Sequence, residues 1–172
     1  MDTYQTERRQ EHGHTWSVEW VYDTDAEAPW DRCDGHGPVS EWTARDKRPG
    51  EWVLVSDRCM KRYYNAQEAM QIARREGWGC VNPATGAYKR PSKGERLAAA
   101  VRADFEYLRG WCEDYWHYCG VVVKMDGHNI AASQWGIESN SGNYFEEVIK
   151  ELMAECLDKV SRQTYPVTEM GL

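Results

Sequence analysis

The residues best equipped for chemistry lie in one stretch, 23–36, where Asp23, Asp25, Glu27, Asp31, Asp34 and His36 set five carboxylates and an imidazole close together. Hard cations take oxygen ligands, so Ca²⁺ or Mg²⁺ is the metal such a loop could hold. The spacing departs from the alternating Asp/Asn pattern of a calcium loop, and a solvated acidic loop accounts for the same residues. Cys33 and His36 stand in C-x-x-H spacing, half of a zinc site, but no second short-spaced pair completes it. The six cysteines form no C-x-x-C pair, and free thiols are expected of them. Two of these, Cys112 and Cys156, fall on apolar helical stripes, where a small buried thiol is expected. Gly35-His36-Gly37 and Gly77-Trp78-Gly79 lack the third glycine and the strand-to-helix setting of a dinucleotide site. A Walker loop and a nucleophile elbow are also absent. Catalysis and a bound cofactor therefore find no support in motif, and a metal-dependent enzyme built on loop 23–36 stands as the weakest of three readings.

A binding function has more behind it. The chain of 172 residues holds nine Trp and ten Tyr but two Phe. Trp and Tyr couple a large apolar ring to a polar tip, which suits surfaces that meet a partner. A half-exposed antiparallel sheet favours the same residues. The formal charge of −7 is distributed unevenly. Residues 1–42 hold ten acids and three bases, 43–110 eight acids and fourteen bases, and 111–172 ten acids and four bases. Segregated charge steers partners when it forms surface patches.

Two binding surfaces follow from that pattern. In the first, the rings Trp30, Trp42 and Trp78 act with acids of the first loop or with Glu147, Glu151 and Glu155. At intervals of four these last three line one helix face, and like charges at that spacing weaken a helix unless a basic partner relieves them. In the second, Arg58, Lys61 and Arg62 beside Tyr63 and Tyr64 hold phosphate and stack bases, as single-strand binders do. The sequence pI of 5.3 weighs against the second surface.

The elements that would position these residues can be read from periodicity. Residues 1–14 read as a solvated flexible leader. Residues 15–23 alternate as a strand, with Trp16, Val18 and Trp20 on one face. Residues 39–43 and 51–56 read as further strands, separated by the charged turn 45–50. Asn65 with Glu68, and Ser92 with Glu95, form capping boxes for two helices, the second running over 93–115. Residues 120–125 and 129–137 pair as strands around the Asp126-Gly127 turn. A final helix opens at Asn143, and Phe145, Val148, Ile149, Leu152, Cys156 and Val160 mark its buried stripe. The expected fold is α+β: a single domain over 15–165, mainly antiparallel sheet with about three helices on one face, and a C-terminal tail over 166–172. No apolar run is long enough to span a membrane or to serve as a signal peptide, which points to the cytoplasm.

Several segments together, WSVEWVYD, DGHGPVSEW, KRYYNAQEAMQIARREGWG, ADFEYLRGWCEDYWHYCGVVV and SQWGIESNSGNYFEEVIKELMAE, resemble a family of small uncharacterised proteins encoded by tailed phages and prophages. The similarity covers the chain from about Trp16 to Glu155. It brings no catalytic residue or cofactor with it. It implies a phage accessory protein in the bacterial cytoplasm that binds a host protein and inhibits or redirects it. By analogy with other compact phage proteins, the expected target is a nucleic-acid-handling defence complex, in the manner of anti-restriction or anti-CRISPR proteins.

Overall fold

A computed structural model describes residues 2–32, 35–79 and 93–164. The elements run β1 (Thr3–Glu11), β2 (His14–Tyr22), the single turn α1 (Pro29–Arg32), β3 (Glu51–Asp57), β4 (Met60–Asn65), α2 (Ala66–Glu76), α3 (Lys93–Cys112), β5 (Tyr118–Met125), β6 (Ile130–Glu138) and α4 (Tyr144–Thr164). The class is α+β with antiparallel sheets. Two compact units divide the chain: Met1–Ala26 joined with Trp116–Leu172, and Glu27–Tyr115.

The first unit brings the two ends of the chain together in a four-stranded sheet of order β1-β2-β5-β6. The most apolar strands, β2 and β5, take the centre, where Trp16, Val18 and Trp20 stand opposite Met125, Val123 and Val121. Polar β1 and the half-exposed β6 take the edges, and the charged side chains of β1 guard its edge against pairing with strangers. Helix α4 packs on β5 and β6 and buries Val148, Ile149, Leu152, Met153 and Cys156. That is the expected stripe widened by Met153. Each such side chain contributes about 1.5–3 kcal/mol when fully buried. The buried Trp16 indole keeps its polar tip satisfied by donating to the Glu11 carbonyl at 2.9 Å.

The leader expected over 1–14 is instead mostly strand. Its register with β2 puts Arg9 opposite Trp16. The Arg9 guanidinium donates to both oxygens of Glu146 in the first turn of α4, at 2.7 and 2.8 Å. It also bonds Glu7, so β1 is tied down by ion pairs rather than by apolar burial. His12 (φ 53°) and Gly13 (φ 76°) make the left-handed two-residue turn of a tight hairpin.

The second unit packs the β3–β4 hairpin with α2 and α3 around Leu54, Tyr64, Ala69, Ala73, Leu97, Val101, Phe105 and Leu108. The first capping box forms as read: the Glu68 N–H donates to Asn65 Oδ1 at 3.0 Å, and Asn65 Nδ2 donates back to Glu68 Oε2 at 3.1 Å. Ser92 of the second lies outside the described residues. Helix α3 stops at Cys112, short of the expected 115. Residues 39–43 form no strand of their own; they touch β4 through the isolated pairs Val39–Tyr64 and Thr43–Lys61.

Candidate functional site

In the first unit, Asp2, Tyr22, Asp23, Thr24, Asp25 and Trp135 line a cleft of about 430 Å³. Tyr22 ends β2, Asp23 stays bonded to the Tyr118 carbonyl of β5, Thr24 and Asp25 turn, and Trp135 belongs to β6. The Asp23 carboxylate is anchored, accepting from the Gly136 N–H at 3.0 Å. Asp2 and Asp25 are exposed and make no ion pair among the described residues. The Tyr22 ring is 43% exposed and Trp135 is 39% exposed. Behind Tyr22 lie Tyr4, at 4.7 Å between ring centroids, and His117, at 4.6 Å. Burial raises the Tyr4 hydroxyl and the Cys119 thiol above their ordinary pKa values. Cys119 is thus a poor nucleophile. The sequence reading drew attention to the acids of this loop; it did not find Asp2, Tyr22 or Trp135, because nothing local marks residues brought together by pairing between the chain's ends.

Glu147, Glu151 and Glu155 all lie exposed on α4. Glu155 pairs with Lys159 at 2.7 Å, whereas Glu147 and Glu151 make no ion pair among the described residues. Glu146 is the acid that pairs with Arg9 of β1, and that pairing holds its carboxyl below the usual range.

In the second unit, residues from both expected surfaces converge. The Arg62 guanidinium lies 5.4 Å from the ring centroid of Trp30 and 5.4 Å from that of Trp42. Trp30 also meets Trp111 edge-on at 5.4 Å. Trp42 is 41% exposed, while Trp30 and Trp78 are half-buried against the core. Trp78 donates its indole N–H to Glu76, apart from the other two rings.

Tyr63 and Tyr64 are buried, which removes the stacking half of the single-strand surface. The cause is that β4 is covered on both faces. The Tyr63 hydroxyl donates to the Arg45 carbonyl at 2.8 Å, and Tyr64 packs beside Phe105 of α3. Arg58 sits exposed in the β3–β4 turn at φ 51°, and Lys61 is half-buried with its backbone bonded to Thr43.

His36 also has an occupation. Its Nδ1 lies 2.6 Å from Asp104 Oδ1, and its ring stacks on Tyr107. The other Asp104 oxygen accepts from the Gly37 N–H at 2.8 Å and the Tyr64 hydroxyl at 2.7 Å. The hydrogen bonds of His36 and Gly37 to Asp104, and a glycine at 37 whose missing Cβ makes room for the Tyr64 ring, fasten the loop at 35–38 onto α3 and β4. Cys33 and Asp34 lie outside the described residues. Among the described residues no group of three or more His, Cys, Asp or Glu side chains could hold a metal ion.

The three charge blocks of the sequence become two in the fold. The first unit holds fourteen acids and six bases, a net of −8, and the second fourteen acids and fifteen bases, a net of +1. No described helix is long and apolar enough to cross a membrane. The chain matches no family model, no curated protein and no solved structure.

Proposed function

We propose that this chain is a phage-encoded accessory protein of the bacterial cytoplasm that works by binding, docking its acidic first unit on a basic, nucleic-acid-handling host protein and inhibiting or redirecting it. The observation that carries this reading is the joining of both acidic ends in one unit with a net charge of −8. Opposite charge of that size speeds encounter and rejects like-charged partners. Glu147 and Glu151, exposed and without an ion pair among the described residues, supply the contact row on α4, and the cleft beside Asp2 and Asp25 supplies a second point of attachment.

Several basic residues of the second unit are engaged within it. Arg45 pairs with Glu51, Arg109 with Glu106, and Arg102 lies 4.2 Å over the Trp52 ring. With Tyr63 and Tyr64 buried, direct nucleic-acid binding is the lesser reading.

The test is capture of tagged protein from a bacterial lysate, with and without nuclease. The expected result is a stoichiometric protein partner that survives nuclease and is released by salt. Recovery of nucleic acid, or of proteins that vanish on nuclease treatment, would replace this reading with the nucleic-acid one.

A further inference from the structure

We propose that the cleft of the first unit is a receptor for a guanidinium group, the side chain of an arginine presented by a protein partner. This rests on the reading that the chain binds a basic protein, and it names the group that the cleft takes.

Two exposed rings are held in place there before any ligand arrives. The Trp135 ring lies on Gly120, where an added Cβ would come within 2.4 Å of Trp135 Cε3. A side chain at position 120 would lift the indole, so glycine is what lets the ring lie flat on β5. The indole N–H donates to Ser133 Oγ at 3.2 Å, which fixes its rotation, and the ring still leaves 39% of the residue's surface exposed. Tyr22 is backed by Tyr4 and His117 in the same way. Rings immobilised on one side and open on the other are platforms for a flat, weakly hydrated cation.

The carboxylates decide the sign of the ligand and its size. Asp23 is fixed through Gly136, and Asp2 and Asp25 have no cationic partner among the described residues. Yet these three acids are not gathered closely enough to share a metal ion. Acids spread around a cleft of about 430 Å³ with aromatic walls match a delocalised cation better than a small hard one. A guanidinium presents in-plane donors to the carboxylates while its faces meet the rings; an ammonium can do only the first. The protein already builds this recognition once within itself, where Arg62 lies by Trp30 and Trp42 with Glu41 at 3.8 Å.

The experiment titrates the full-length ¹⁵N-labelled chain with N-acetyl-argininamide, with N-acetyl-lysinamide and with maltose, following the Trp135 indole N–H and the Gly136 amide. The expected result is a saturable shift of both signals with the arginine compound, several-fold weaker binding of the lysine compound and none of maltose. Asp2→Asn with Asp25→Asn should weaken the arginine compound by about tenfold, as loss of a charge-assisted pair does, while the remaining spectrum stays unchanged. No saturable shift, an equal shift in the neutralised variant, or a preference for maltose would overturn the proposal. If the cleft fails while the lysate partner is still held, the guanidinium assignment falls and the binding reading stands. If argininamide binds and no basic partner is captured, the binding reading falls instead.

Discussion

The unit formed by the chain's ends leaves a surplus of acids facing solvent, whereas the unit between them nearly balances its charges and builds several of its polar groups into its own packing. In the first, α4 seals an apolar sheet face and carries Glu147 and Glu151 exposed on its other side. In the second, Asp104 receives donors from His36, Gly37 and Tyr64, Glu51 takes both arms of Arg45, and arginines lie over Tyr63, Trp52 and Trp30. A count of charged residues does not locate a binding surface, since a pair already satisfied within the fold has little left to offer a partner. The second unit is nearly neutral, whereas the first has eight more acids than bases.

That contrast can be broken in several ways. The largest effect on folding should come from Asp104→Ala, which removes the acceptor of the Gly37 N–H and leaves the buried Tyr64 hydroxyl only the Val101 carbonyl at 3.5 Å. We expect a loss of about 3–5 kcal/mol in denaturant unfolding, comparable to Met153→Ala in the apolar core of the first unit. A loss below about 1 kcal/mol would show that the second unit does not depend on this clamp. Gly120→Ala should cost about 1–3 kcal/mol through overpacking, shift Trp135 fluorescence and weaken argininamide binding together. Unchanged fluorescence would mean that the ring does not need the glycine.

A smaller effect is tied to pH. The Arg45 guanidinium, helped by the Arg48 N–H, holds the Glu51 carboxyl down at about 2 from an ordinary value of 4.5. A depressed folded-state value stabilises the fold above 4.5, and the contribution is lost as pH falls from there toward 2. Glu51→Gln should therefore flatten the pH dependence of stability in that window; an unchanged acid limb would place it elsewhere. Glu147→Lys with Glu151→Lys should move stability by no more than about 0.5 kcal/mol, as expected for exposed positions, while changing binding.

The parts of the fold that follow a local rule were legible in the sequence. The alternation of Trp16, Val18 and Trp20, the Asn65–Glu68 box and the stripe on α4 each carry their own period. Strand β1 was not, because an edge strand held by Arg9 and Glu146 needs no apolar alternation, and its ionic partner lies 137 positions away. β4 was missed because both of its faces are covered, so Tyr63 and Tyr64 read as exposed rings when they are core. The same distance in sequence hid the cleft. Asp23 and Asp25 were visible, but Trp135 reaches them through a sheet that joins the two ends of the chain. His36 was visible as a possible ligand; its true partner, Asp104, comes from a helix 68 positions away.

The most direct test compares charge reversal in the two units. Wild type, Glu147→Lys with Glu151→Lys, and Arg58→Glu with Lys61→Glu would each be used to capture the host partner across a series of salt concentrations. The account predicts that reversal on α4 abolishes capture, that salt weakens the wild type, and that reversal on the β3–β4 hairpin leaves the partner bound. Loss of the partner only when the hairpin is reversed would contradict it.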